Sequence, residues 1–465
     1  MTLARIAIEH LSRRIAAWAA CLLLLGAAAL PAGAQTTEYT LANGMKVIVK
    51  EDHRAPTVAH MVWYRAGSID EVNGKTGVAH VLEHMMFKGT RQYGPGEFSK
   101  RIAALGGREN AFTSRDYTGY YQQLHKSALA EAMTLESDRM HNLVLSKDEF
   151  DKEIKVVMEE RRWRTEDRAQ SLMMEQLNAA AFVASPYRAP TVGWMNDLEA
   201  MTVEDAREWY ERWYAPNNAL LIVAGDVQPA QVLALAERTY GRLPAKPLPA
   251  RKPQLEPPQR GIRRLSVKAP ADNPMVVLGF QAPVLRDVER DVDPFALEIL
   301  SAMLALNDTG RFTRRLVREQ RVANAAEAGY DMISRGPGLF LLLAVPAEGK
   351  TTEDAEGAMR AEIARIAAEG IPEDELRRIK TQYVAAETYK LDSIFAQAME
   401  SAQLEITGFA QRDGPRVLER IRAVTSAQIQ DVARRYFSDD TLTVVTLLPQ
   451  PVGGKRAPPP AGLRH

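Results

Sequence analysis

One cysteine, Cys21, is all the thiol in this 465-residue chain, which excludes an internal disulfide and any thiolate-held metal cluster. A surplus of one charge is lacking as well: 59 Lys+Arg balance 59 Asp+Glu, and phosphate recognition leaves a basic excess, so nucleic acid is not expected as a partner. The low-hydrophobicity, high-charge composition of disordered chains is also absent, with 46% apolar and 25% charged residues. After residue 34 no apolar run reaches the ~20 residues that a membrane-spanning helix needs. Histidine is scarce after the first third: of eight, only His465 lies beyond His141. Imidazole chemistry therefore belongs to the first third of the chain.

What is present begins with a leader. Arg13 and Arg14 precede the apolar run Ile15 to Leu30, and Ala32-Gly33-Ala34 offers the small residues of a cleavage site. Residues 1–34 are expected to be an export signal that takes Cys21 with it. The mature protein is then expected in the periplasm of a Gram-negative bacterium, with no membrane anchor. From Pro244 to Pro258 six prolines interrupt basic residues, which favours an extended connector, 244–259, between domains 36–243 and 260–450. The Pro/Gly-rich 451–465 reads as a disordered tail.

The two halves repeat. TVEDAREWYERWYAPNNALLIVAGD from Thr202 aligns without gaps to TSAQIQDVARRYFSDDTLTVVTLLP from Thr425. Each opens on a helix-capping Thr, closes the helix pattern on an aromatic pair (Trp213-Tyr214, Tyr436-Phe437) and leads into an apolar strand. Helices are expected over 76–87, 95–105, 127–145, 147–164 and 202–214, with strands over 45–50, 57–65, 109–115 and 118–124. The interleaving gives an α+β fold of two duplicated domains, each a mainly antiparallel sheet packed with helices.

His80-Val81-Leu82-Glu83-His84 carries the chemistry. On a helix, His80 and His84 share one face a turn apart and can hold one zinc, with Glu83 beside them to take a proton from an attacking water. The order reverses the commoner H-E-x-x-H and arises by accident on the order of once in a hundred chains of this size. A catalytic site wants a third protein ligand. The 147–164 helix has Glu153, Glu159 and Glu160. Glu153 and Glu160 are two turns apart on one face, ~10 Å along the axis, so one would bind and the other support, and spacing alone does not choose. Arg161-Arg162-Trp163-Arg164 reads as a solvated helix end. His53, His60, His125 and His141 have no ligand spacing and read as surface or satisfied core residues.

The H-x-x-E-H helix, the E-x-x-V-V-x-E-E stretch from Glu153 to Glu160, and Tyr214-x-Pro216-Asn217-Asn218 before a strand ending Gly225-Asp226 resemble the pitrilysin/insulinase family of zinc peptidases. The short, two-domain members, similar to mitochondrial processing peptidase, match over nearly all of 36–450. The resemblance implies one half of a clam-shell chamber, zinc held by His80, His84 and Glu160, Glu83 as general base, and Glu153 as an additional active-site glutamate. It also implies that the strand around Asn110, Ala111 and Phe112 receives an extended peptide as an added strand. Active members carry an Arg and a Tyr seven residues apart in the second half. Here Arg318 fits the first position, but the second is Ala325, and Tyr330 comes five residues late. The resemblance therefore implies a heterodimer in which a homologous partner supplies the Arg/Tyr pair. A non-catalytic scaffold subunit is the alternative.

Overall fold

The computed structural model describes residues 36–451, and the structure below concerns those residues. The leader 1–34, with Cys21, and the tail beyond residue 451 lie outside them. Strands β1 (Thr36–Thr40), β2 (Lys46–Glu51), β3 (Thr57–Tyr64), β4 (Arg108–Thr113), β5 (Thr118–His125) and β6 (Ala219–Gly225) form one sheet in the order β1-β2-β6-β3-β5-β4. Strands β7 (Arg263–Pro270), β8 (Met275–Ala282), β9 (Ala323–Tyr330), β10 (Gly338–Pro346) and β11 (Leu442–Gln450) form a second in the order β7-β11-β8-β10-β9. Apart from β1, the two orders are the same. Each sheet has one parallel pair, β2 with β6 and β7 with β11, and its other neighbours are antiparallel. The strands β6 and β11 that close the duplicated sequences occupy equivalent places, as duplication requires.

Local sequence explains much of this. Thr202 with Asp205, and Thr425 with Gln428, form reciprocal capping boxes that start the Val203–Trp213 and Ser426–Tyr436 helices. All seven residues of β6 are buried, which is why Ala-Leu-Leu-Ile-Val-Ala-Gly is apolar without alternation. The expected helix over 147–164 stops at Arg161, and Arg162–Glu166 continues as a wider π-type turn. Residues 244–260 form no helix or strand, but they are anchored to the first half. Asn217 Nδ2 donates to the Lys246 carbonyl (2.8 Å) and Arg251 Nε to Asp70 Oδ1 (2.7 Å).

The halves exchange helices. One face of the first sheet packs Val47, Val49, Val58 and Val62 against helices of its own half. The opposite face, with Ile48, Met61, Trp63 and Ile222, is covered by Ala398, Ala402 and Ile406 of the Ile394–Thr407 helix from the second half. Conversely, Met173 and Leu177 of the Ala169–Ala181 helix pack on Val267, Val277, Val445 and Leu447 of the second sheet. The alignment of Thr202 with Thr425 also matches these two helices to each other, so equivalent elements are traded. Burial on this scale removes apolar surface at ~25 cal/mol per Å² and ties the two sheets into one cooperative body.

Candidate metal centre

The His80/His84 helix, Val78–Met85, is buried along its whole length. It starts at Gly77, whose φ of +88° is left-handed. A Cβ there would stand 2.5 Å from the Val192 carbonyl oxygen, so glycine is needed twice over. The buried carboxylate of Glu71 accepts the Gly77 and Ala79 amides (both 2.9 Å), and Asp197 Oδ2 accepts the Thr76 amide (3.1 Å) and hydroxyl (2.6 Å). Four orphan donors at the helix start are thereby reduced by two, and the helix is held in place from behind the site.

On that helix His80 and His84 face Glu160 of the Lys147–Arg161 helix. Glu160 Oε2 lies 3.2 Å from His84 Nε2 and 3.8 Å from His80 Nε2, and one donor atom from each of the three falls within 4.8 Å of the others. All three residues are buried. Two imidazole nitrogens and a carboxylate oxygen aimed at one volume are the donor set of a three-ligand zinc site with a position left open. These residues fit zinc.

Glu153 is placed differently. Its Oε1 accepts from His84 Nδ1 at 2.9 Å, and its Oε2 pairs with Lys88 Nζ at 2.5 Å. The two carboxylates that share a helix face thus bracket one imidazole, Glu153 at Nδ1 and Glu160 at Nε2. A proton held on Nδ1 leaves the Nε2 lone pair pointing at the metal position. Burial pushes Glu160 up, but the His84 hydrogen bond and the charges of His80, His84 and Arg164 outweigh it and bring the carboxyl to about 2. Burial pulls His84 down, yet Glu153 and Glu160 overcome it and raise the imidazole to about 9. A metal arriving at Nε2 therefore displaces a proton.

Glu83, 6% exposed, receives a hydrogen bond on Oε2 from the Thr113 hydroxyl at 2.5 Å. Burial lifts its carboxyl above the ordinary glutamate range, with Thr113 opposing. Thr113 ends β4, the outermost strand of the sheet, whose outer edge pairs with no strand among the described residues. Ala111, on the face of Thr113, belongs to the core beneath the metal helix, while Phe112 points the other way onto Trp63 (4.9 Å between centroids). Asn110 Oδ1 accepts the Ala111 amide at 2.8 Å.

Several participants were not legible as such. Lys88 falls four residues after His84, a helical interval that could have flagged it. Arg164 pairs with Glu160 Oε1, and Arg161 is buried against Glu175 (2.8 Å). The run read as a solvated helix end therefore borders the site. Arg318 is not brought to it: it is exposed on the Thr313–Glu319 segment of the second half. Ala325 is exposed on β9, and the Tyr330 hydroxyl donates to the Pro283 carbonyl. His60 is a satisfied core residue, bonded to Gln122 Oε1 (2.5 Å) and the Tyr240 hydroxyl (3.0 Å).

Comparison with known proteins decides the family. The model of Insulinase (Peptidase family M16) matches residues 46–193, and that of the Peptidase M16 inactive domain matches 200–383. Zinc protease PqqE of Helicobacter pylori is 30% identical over 420 residues, covering 88% of this chain and 92% of that one. The chain belongs to the insulinase family. Its fold is that of the crystal structure of a protease from Helicobacter pylori, with TM-score 0.84 and 28% identity over 90% of this chain and all of that one. Probable zinc protease PqqL of Escherichia coli is 29% identical over 78% of this chain but only 40% of its own length. The insulinase-family relatives named zinc proteases imply zinc as the metal, and the second half matches a domain described as inactive, where histidines are indeed absent before residue 465.

Proposed function

We propose that this chain is the zinc-bearing, catalytic subunit of an exported endopeptidase that cleaves extended peptides. The convergence of His80, His84 and Glu160 beside a buried Glu83 is the observation that carries this reading. Zinc held by those three residues supplies Lewis acidity, polarising a carbonyl and making water acidic enough to attack near neutral pH.

The chain's own residues do the rest. The outer edge of β4, from Asn110 through Ala111 and Phe112 to Thr113, pairs with no strand among the described residues and offers backbone donors and acceptors to a peptide laid alongside as a further strand. Thr113 sits where that strand meets the base, so a peptide on β4 passes Glu83. The Glu83 carboxylate takes one proton from the attacking water, Thr113 fixing the rotamer through Oε2, and returns it to the departing amine. A carboxyl kept above its usual range by burial is better matched to that proton transfer than a solvated one. Glu153 and Lys88 hold the His84 ring.

Ala325 supports pairing with a homologous subunit that carries the Arg/Tyr pair, and PqqL, in which this chain matches only part of the length, supports the idea of two such units working together. A periplasmic setting is supported by the leader and by the neighbouring structure described as the periplasmic protease PqqL from Escherichia coli, similar in fold at TM-score 0.77. The same Ala325 favours a second reading, a scaffold subunit. A quenched-peptide assay of wild type and Glu83→Gln, each with and without the homologous partner, separates the two. The proposal expects zinc in both proteins and cleavage only by wild type. Equal cleavage by Glu83→Gln, or none by zinc-loaded wild type with its partner, overturns it.

A further inference from the structure

The turn after β4 leads to a second site. Arg115 follows Thr113 by two residues, within ~7 Å of backbone. Its guanidinium lies over the Tyr187 ring, 5.0 Å from the centroid, and makes no hydrogen bond or ion pair among the described residues. Burial pulls its pKa below the ordinary arginine value, outweighing the opposing effect of Tyr187, Asp116 and Asp331. The acids around it also hold other groups. Asp116 accepts the Tyr187 hydroxyl and, at 2.9 Å, the Arg335 amide. Asp331 Oδ1 accepts the Ile333 amide (3.1 Å), and Glu175 is held by Arg161 through two bonds of 2.8 and 3.1 Å.

Arg115 lines a cavity of about 420 Å³ between the turn, the Ala169–Ala181 helix and residues 188–192. Ser171 and Thr165 add hydroxyls to its wall and Arg188 a second cation; Glu175, held by Arg161, also lines it, and Asn178 Nδ2 donates to the Met174 carbonyl. Along the chain, two lining residues lie near the candidate metal centre: Arg115 follows Thr113 by two residues, and Thr165 follows Glu160 by five. Tyr187, the platform under Arg115, is itself fixed. Its hydroxyl accepts the Gly336 amide at 3.0 Å, and a Cβ on Gly336 would stand 2.5 Å from the ring. The guanidinium is thus stacked and oriented, two residues along the chain from the Thr113 that bonds Glu83.

We propose that Arg115 and its cavity form a recognition subsite for a carboxylate on the peptide, either an acidic side chain or the terminal carboxylate. This rests on the reading of β4 as the strand that receives substrate. A guanidinium that makes no ion pair among the described residues and is pre-stacked on an aromatic ring is already oriented for pairing, and its planar fork suits a carboxylate.

The test compares quenched peptides of one sequence carrying Glu or Gln at each position on either side of the cleaved bond, with the C-terminus free or amidated. With zinc and partner present, a Glu at one position, or a free C-terminus, should raise kcat/KM about 10-fold over its neutral counterpart, the scale of one charged hydrogen bond. In Arg115→Gln that ratio should fall to about one, and Arg115→Lys should keep part of it. A ratio taken within one preparation does not depend on its folded fraction. The same ratio, read as peptide affinity by anisotropy on zinc-loaded Glu83→Gln, decides the matter even if wild type proves not to cleave. Acid preference in neither assay, or preference that persists in Arg115→Gln, overturns the subsite while leaving the peptidase reading to its own test.

Discussion

Replacing Glu153 by Gln probes the support of the metal centre without touching a ligand. The carboxylate is 4% exposed and gives one oxygen to His84 Nδ1 at 2.9 Å and the other to Lys88 at 2.5 Å. Gln keeps the shape, but it replaces a charged acceptor with a neutral one and leaves Lys88 without its anion. Loss of such a partner behind a ligating histidine typically costs 10–100-fold in metal affinity, or about 1.4–2.8 kcal/mol. Because Glu153 also fixes which ring nitrogen carries the proton, much of that range should appear in zinc binding itself. Competition of the metal-free protein with a chelating indicator reads the change directly. Zinc affinity within about twofold of wild type, together with lost cleavage at saturating zinc, would refute the argument and move Glu153 from the histidine to the substrate.

Perturbations at two other positions have expected outcomes. Thr113→Val should lower kcat about 10-fold with little change in KM, and Thr113→Ser should restore most of it, since only the hydroxyl on Glu83 differs. Asp70, in a bidentate pair with Arg335 (2.8 and 2.9 Å) and bonded to Arg251, is pushed up by burial but held below the ordinary aspartate range by these two arginines. A depressed folded-state pKa stabilises above the unfolded value, near pH ~4, and that stability is lost as pH falls through the lower folded value. Denaturant midpoints should therefore drop below pH ~4 in wild type, and the Asp70→Asn protein, already weaker at pH 7, should show a flatter acid limb; parallel limbs would argue against the clamp.

How much of this could be read from the chain alone varied with the range of the interactions. His80, Glu83 and His84 were legible because the helical interval itself puts two imidazoles on one face. The duplication was legible from matched caps and aromatic closures, and the structure repeats it as a common strand order. Glu153 and Glu160 could not be told apart by spacing, since both face the same way. They differ in which nitrogen of His84 each reaches, a fact set by how two helices cross. Arg161 looked solvated because a basic run at a helix end usually is, yet it is buried against Glu175; Arg164 is exposed, as expected, while it pairs with Glu160. The exchange of the Ala169–Ala181 and Ile394–Thr407 helices leaves no local mark, as each helix is amphipathic whichever sheet it covers. Thr113 was within the strand singled out for substrate, but its bond to Glu83 is a contact across 30 residues.

The most direct measurement is zinc content and peptide cleavage followed in one preparation of the chain with its homologous partner, before chelation, after it, and after zinc is returned. One zinc per chain, cleavage abolished by chelation and restored by zinc, with His84→Ala unable to recover, is the expected result. Cleavage that survives complete loss of zinc, or a fully loaded pair that cuts no peptide, would contradict the account.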